Sequence, residues 1–457
     1  MKRIKIAVDA FPYQKDIWSI CDYSGEQIYS KVALPLFSYQ EHKLSYLAAL
    51  KYAQTPSYLD IVIREDLFWS NGEAICAEDY VRAIIHVCRD LKNRYCQLLL
   101  SVLRHPDFTL HGKQSAILAI NKSRIRIKTA WYDPFIPHYL SLLNFSPRHS
   151  SKMELSGGPY FLNCVSNRIY QLKVNPFFKL SNSEKKADTL EFILVEEDKE
   201  GQAFFEQQVH VSCDTALDLK RLQRYITHPN FHQGEEMLAI ILSPGDRFDE
   251  LSSETLERLV KAIDRDRIAH FYDLLLEPLS SWMQFYRIPF QPRQTQSAIE
   301  GSNFQKISIA YEDFYPNREL LEHIGEDIAS YNLGLEVQQD KYGHWDSSCH
   351  LRLEIRKVPR HNPMLLLRTD ISRLPSNSQY QAEIIKQYKR LFDLKSNIDH
   401  EIIFSEIDTH LRTENLYIPL FIFPTGFFCH QGIQAASLMQ IGKYVLTKGE
   451  SEDEVQA

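Results

Sequence analysis

Glycine is scarce in this 457-residue chain: 16 residues, about half the usual share of a globular protein. That excludes collagen-like, Gly-rich repeat and low-complexity classes. No apolar run reaches the ~18–20 residues of a membrane-crossing helix. The greasiest stretch, Leu416 to Phe428, is broken by Pro419 and Pro424 and reads as buried strand and turn. The start, Met1-Lys2-Arg3-Ile4-Lys5-Ile6, is charged and then alternates, without the apolar region of a secretory signal. The eight cysteines contain no CxxC pair and the 17 histidines no HExxH. Cys349-His350 and Cys429-His430 are adjacent residues, which point apart on a strand or a helix, so each pair offers one metal ligand at most. Reduced, largely buried thiols are expected, and no metal site. Also missing are a phosphate-cradling loop, a dinucleotide fingerprint and a nucleophile elbow; Gly157-Gly158 is a lone pair. No catalytic residue, metal ligand or cofactor is therefore assigned, and an enzyme is not the expected class. The formal charge of −7, from 52 basic and 59 acidic residues, argues against nucleic acid as a partner.

What is present is enough apolar material, 44% of residues, to fill real cores, and many aromatics, 24 Tyr and 25 Phe, to line ligand walls. At ~150 residues per domain, the length implies two to four domains. Alternation predicts strands at Ile4–Val8, Tyr58–Arg64, Ser123–Thr129, Tyr160–Cys164, Ile169–Val174 and Leu190–Val195. Asn71-Gly72 supplies a turn, and Ala77-Glu78-Asp79 opens a helix whose apolar face is Val81, Ile84, Ile85 and Cys88. Helical spacing runs from Ser253 to Asp264. Strand, helix and strand at Ser308–Ala310, Asn317–Ala329 and Leu335–Val337 predict a β-α-β unit, and further helices are expected at Gln379–Asp393 and Ser405–Arg412. No internal repeat and no Gly/Ser-rich linker separates these elements. The class is α/β, with domains packed on one another.

Five segments, in order, carry a resemblance. Ile63-Arg64-Glu65-Asp66-Leu67-Phe68-Trp69-Ser70-Asn71-Gly72-Glu73 with Ala77-Glu78-Asp79 resembles the strand–turn–helix signature "LRdgvkWSDGtPlTAeDvv" of the peptide/nickel-type solute-binding proteins of ABC transporters. Gly158-Pro159-Tyr160 is similar to that family's "GPY", Asn175-Pro176 to its "NPdY", Ala262-Ile263-Asp264-Arg265 to "AIDR", and Tyr417-Ile418-Pro419-Leu420 to a late "vIPLy" strand. The resemblance implies a bilobal, type II periplasmic-binding-protein-like α/β fold with an inserted domain and a hinge between lobes. It maps a central lobe onto 1–32, 155–243 and 420–457, an inserted domain onto 33–154, and a second lobe onto 244–419, with crossings near Ser243 and Leu420. It implies non-catalytic binding of a small solute by hinge closure, for ABC-type uptake, with a permease as partner if the protein is exported. A monomer is expected. As the sequence stands the reading is cytoplasmic; the alternative is a periplasmic or cell-surface protein whose signal has been removed. The same fold also serves as a sensor domain in transcription regulators, and could be recruited as a biosynthetic enzyme. A nickel or haem binder would need clustered histidines.

One departure bears on the ligand. Oligopeptide binders of the family carry "WcaDYneP" on a strand of the second lobe, whose Asp pairs with the peptide amino group. Aligned on Pro363, this chain has Arg356 in place of the Trp and Pro359 in place of the Asp. Alternation sends Arg352, Glu354 and Arg356 to one face. Two readings stand: a basic, ligand-facing strand in which Arg352, Arg356 and Arg360 grip a carboxylate or phosphate, or a solvated edge strand. On the first, Phe11, Tyr13 and Trp345 line the remaining wall, and the ligand is a peptide-like or anionic small molecule.

Overall fold

The computed structural model describes residues 2–40, 43–91, 93–104, 108, 115–152, 154–181, 183, 185–195, 201–215, 217–281, 303–343, 346–358, 368, 379–392, 400–413 and 416–448. Trp345 and Arg360 lie outside them. The chain opens with β1 (Arg3–Val8) and α1 (Tyr23–Tyr29). It then enters an inserted segment with β2 (Phe37–Gln40), β3 (Lys43–Tyr46), β4 (Ala49–Thr55), β5 (Tyr58–Ile63), α2 (Ala77–Arg89), α3 (Cys96–Leu100), β6 (Ile117–Asn121), β7 (Arg124–Lys128) and α4 (Ile136–Tyr139). It returns through β8 (Tyr160–Val165), β9 (Ile169–Val174) and β10 (Thr189–Leu194), followed by the short helices α5 (Gln202–Phe205) and α6 (Leu219–Tyr225). The last part contains β11 (Phe231–Pro244), α7 (Ser253–Ala262), α8 (Arg265–Phe271), β12 (Glu277–Pro278), β13 (Gln305–Glu312), α9 (Asn317–Ala329), β14 (Leu333–Asp340) and β15 (Leu351–Val358). It ends with α10 (Gln379–Arg390), α11 (His400–Thr413), β16 (Ile418–Phe428) and α12 (Ala436–Met439).

Three main sheets result. The first-lobe sheet has the order β1-β10-β9-β8, the inserted sheet β4-β5-β7-β6, and the second-lobe sheet β12-β16-β11-β15-β13-β14. β13 and β14 run parallel with α9 as their crossover, which is the β-α-β unit expected from the pattern. The segment at Trp69–Val81 folds as its chemistry requires. Gly72 takes φ +88, a conformation open to glycine, and the Asp79 carboxylate caps α2 by accepting from the Cys76 N–H at 2.9 Å. Val81, Ile84, Ile85 and Cys88 are then buried on one face of α2. Each such aliphatic side chain contributes about 1.5–3 kcal/mol by leaving water.

The first lobe and the inserted segment share one continuous core. Ile4, Val8, Leu172 and Phe192 belong to the same cluster as Leu59, Ile61, Ile84 and Ile127. The second-lobe sheet buries its two faces separately: Leu238, Ile240 and Leu242 of β11 face one cluster with α7, α8 and α9, while Met237, Ala239 and Ile241 face another with α10 and α11. A shared core ties the insert to the first lobe, and Trp131 and Phe135 of the insert also pack on the second-lobe cluster.

The positions expected for the crossings, near Ser243 and Leu420, fall inside strands of the six-stranded sheet. Ser243 sits inside β11 opposite Arg352, and Pro419 and Leu420 sit inside β16. Both strands belong to the second-lobe sheet over their whole length. The passages fall at residues 211–230 and at Phe428–Cys429. There Val211 bridges Ile6 and Cys429, the Ser212 N–H donates to the Phe428 carbonyl at 2.9 Å, and the Cys429 N–H donates to the Asn230 carbonyl at 2.8 Å. The shift has a simple cause: a proline at Pro244 and another at Pro419 read as breaks in a sequence, yet each occupies a strand end or a register irregularity, where a missing donor is tolerated. All eight cysteines are free thiols, five of them buried. Among the described residues no helix is long and apolar enough to cross a membrane.

Candidate functional site

The second lobe meets the rest of the molecule along a polar seam. On the first-lobe side, the loop after β1 carries Asp9 to Tyr13, and Asp22 caps α1, accepting from the Gly25 N–H at 2.7 Å. From the second lobe, the turn after β14 brings Tyr342 and Gly343 across. The Tyr342 hydroxyl donates to Asp22 Oδ2 at 2.7 Å, and its ring stands edge-on to Tyr13 with centroids 5.8 Å apart. Gly343, at φ +74, lies so close to the Tyr13 ring that a Cβ would overlap it, and its N–H donates to Glu312 Oε1 at 2.6 Å. The Tyr13 hydroxyl and the Cys21 thiol are 2.6 Å apart.

A second set of contacts lies beside it. Lys357, from β15, pairs with Glu26 of α1 at 3.2 Å and reaches over the Tyr23 ring. Tyr23 in turn donates to Asp214, which also accepts from Gln27 at 2.6 Å. Asp9 accepts from Thr215 at 2.6 Å and from Ser24 at 3.1 Å. Asp214 and Thr215 belong to one of the two passages, so the carboxylates beneath the seam touch the crossing itself. Burial pushes the Asp214 carboxyl up to about 6, with the Asp9 charge adding to the rise against the Tyr23 hydrogen bond. Burial likewise raises Asp9, Asp22 and Glu312.

Arg94, just before α3 of the insert, points into the same space. Burial opposes its charge, but Cys21, Glu354 and Tyr13 around it outweigh burial and hold the guanidinium above its ordinary value. No described residue hydrogen-bonds that guanidinium. It faces Glu354 of β15 and adds to the field at Glu312. The seam therefore sets an unbonded cation amid carboxylates and phenols, where a ligand's polar ends could be matched.

The residues expected from sequence are distributed unevenly. Tyr13 lies in the seam. Phe11 packs on the first-lobe core, 4.8 Å from the Tyr170 ring. Arg352 and Arg356 share a face with Glu354, as alternation requires, and that face looks toward Arg94. Each guanidinium is already engaged within the strand's own lobe, Arg352 with Asp340 at 3.5 Å and the Ser347 carbonyl at 3.2 Å, Arg356 with Glu354 at 3.0 Å. Ser243 also donates to Glu354 at 2.6 Å. β15 lies between β11 and β13 but pairs with β13 only over Leu351–Leu353, so the edge-strand reading is excluded for Arg352 and stays open for Arg356. Lys357, on the opposite face from the arginines, is the basic residue that reaches the first lobe. Among the described residues no three His, Cys, Asp or Glu side chains converge as metal ligands.

Two lobes joined by paired passages, a domain inserted in the first lobe and a polar seam between them define the bilobal type II fold of periplasmic solute-binding proteins. The solved structures bear this out. Haemophilus influenzae OppA, in complex with the peptide RPPGFSPFR, superposes with a TM-score of 0.78 at 14% identity, covering 98% of this chain and 99% of that one. Staphylococcus aureus NikA with Ni(L-His)2 gives 0.77 at 14% identity over 98% and 99%. In sequence, a Haemophilus influenzae protein described as a binding protein is 19% identical over 414 residues, 83% of this chain and 76% of its own length. No family model matches the chain.

Proposed function

We propose that this protein is a non-catalytic binder of a small solute, peptide-like or anionic, which closes its lobes on the ligand and presents it to an ABC permease. The observation that carries the reading is the seam itself: Tyr342 on Asp22, Gly343 on Tyr13, and Arg94, hydrogen-bonded to no described residue, facing Glu354. Such a seam binds by selecting the closed state, because ligand contacts from both sides exist only when the lobes meet. The fold supports it, since relatives of this shape were crystallised with a peptide and with a nickel–histidine complex. In sequence, Pro359 stands where the resembled oligopeptide binders carry the Asp that pairs with a peptide's amino group, which favours a ligand recognised through its anionic groups. An exported location fits a permease partner, and a cytoplasmic one fits the free thiols.

The test is mass spectrometry of whatever stays bound after native purification, followed by calorimetry against peptides and anionic metabolites. Small-angle scattering would follow closure. A ligand binding at micromolar Kd with a smaller radius of gyration is expected, and Arg94→Ala should weaken it at least ten-fold, about 1.4 kcal/mol. No binding and no compaction across the panel would overturn the reading.

A further inference from the structure

Arg368 is fully enclosed, 0% exposed, where the insert meets the second lobe. Its guanidinium lies 5.2 Å from the Tyr388 ring of α10. Nη2 donates to the Gln97 carbonyl at 3.3 Å and to the Ser101 hydroxyl, both on the insert. Nε and Nη1 are buried and hydrogen-bond no described residue, so among the described residues three of the five guanidinium N–H bonds have no acceptor. The nearby carboxylate does not fill the gap. Asp133, also fully enclosed, accepts from the Phe135 N–H at 2.9 Å and the Tyr139 hydroxyl at 3.0 Å; its charge attracts Arg368, but it accepts no hydrogen bond from that guanidinium.

A dehydrated cation with unused donors destabilises whatever state encloses it. An apolar side chain of similar length would serve packing better. In a hinge-closing protein that penalty falls on the closed, empty form. Opening rehydrates Arg368, whereas closing around an anionic group would satisfy its nitrogens. We propose that Arg368 is an anion subsite at the junction of insert and second lobe, taking carboxylate or phosphate oxygens of the ligand and making closure depend on them. This deepens the solute-binding reading and rests on it for its physiological meaning. The subsite is separate from the Arg352–Arg356 strand, whose guanidinium groups pair within their own lobe.

The experiment compares the intact wild-type chain with Arg368→Met and Arg368→Lys by small-angle scattering and thermal unfolding. Titrations use inorganic phosphate and, separately, acetate, against sodium chloride at matched ionic strength. In wild type, one or both anions should compact the protein and raise Tm beyond the chloride control, the two arms telling phosphate from carboxylate. Arg368→Lys should need at least ten-fold more anion. Arg368→Met should lose the response and be more compact than wild type in chloride alone. If neither anion exceeds chloride in wild type, or if Arg368→Met responds as wild type does, the subsite is overturned. Should the Met variant not fold, the Lys variant decides alone, since it keeps the charge and loses the fork. The outcomes separate from those of the solute-binding test: solute binding that is unchanged in Arg368→Met removes only this subsite, while absence of solute binding leaves the anion response standing.

Discussion

The second lobe touches the rest of the molecule in two chemically different ways. Against the first lobe it offers a hydroxyl and an ammonium group, each to a first-lobe carboxylate: Tyr342 to Asp22 and Lys357 to Glu26. Against the insert most of its contact is made by rings, beside the polar groups of Arg368 and Glu354. Trp131 stands edge-on to Tyr388 at 6.0 Å, Phe135 to Phe392 at 5.7 Å, and Trp131 and Phe135 pack on the cluster of Val358, Ile384, Leu391 and Ile403. Apolar contact is strong and tolerant of geometry, while polar contact is weaker net but fixes register. The difference assigns the contacts separate tasks: the rings on the insert side supply the drive to close, and the polar groups, those against the first lobe together with Arg94 and Arg368 on the insert side, decide which closed arrangement and which ligand are accepted.

The largest effect expected from that division is at Tyr388. It is fully buried, and its hydroxyl meets that of Tyr139 at 3.0 Å. Tyr388→Ala should cost about 3–5 kcal/mol in denaturant unfolding, the range for deleting a large buried ring. Tyr388→Phe, which removes only the hydroxyl, should cost about 1 kcal/mol. A loss under about 1 kcal/mol for the alanine variant would show that the ring contacts are not closed in solution, and the proposed drive would go with them.

The polar side should instead respond to pH. The Asp214 carboxyl is raised from 3.8 to about 6 by burial, so the folded protein holds a proton there that the unfolded chain has released. Stability contributed by this group is therefore present at low pH and falls as pH rises between about 4 and 6, by up to about 3 kcal/mol. Asp9, raised in the same direction, adds to that slope. Asp214→Asn should flatten it, as read by urea midpoints across the window. A slope unchanged in the variant would place the titration elsewhere.

A smaller change should break the polar contact sterically. Gly343→Ala forces a Cβ into a residue at φ +74 and onto the Tyr13 ring, and the backbone strain alone is about 1–2 kcal/mol. Its signature should be a larger radius of gyration with little loss in the melting temperature of the separate cores. A compact variant with wild-type affinity would mean that the Tyr342 turn is not part of the closing surface.

Much of the scaffold was legible from local pattern. The strand at Ile169–Val174 and the helix at Asn317–Ala329 are predicted residue for residue, because alternation and helical spacing are properties of a few adjacent side chains. The helix predicted from Ser405 begins at His400, more than a turn earlier, and ends at Thr413, within one residue of the expected end. The site was far less legible. Asp22 and Tyr342 are separated by 320 positions, and nothing local to either says that they meet. Asp22 did carry a weak signal as a helix cap, and Arg94 carried none. Arg356 looked like a free cation, although Glu354, two positions away on the same face, was visible as the group to neutralise it. Pairing charges along the face is the step that turns Arg356 from an isolated cation into half of an ion pair.

The smallest predicted effect tests whether the polar contact supplies specificity without much strength. Lys357 and Glu26 are each about a third exposed at their side chains, 33% and 27%, so water screens the pair. Such pairs are worth about 0.2–1 kcal/mol in double-mutant cycles, and less in salt. Lys357→Met with Glu26→Gln should therefore give a coupling near the low end of that range in dilute buffer, fading as salt is added. Because the pair spans two rigid bodies, the coupling should appear in ligand affinity and radius of gyration rather than in the melting temperature of either core. A coupling well above 1 kcal/mol that persists in salt would mean that the charged contact itself drives closure, and the division between an apolar drive and a polar selector would have to be reversed.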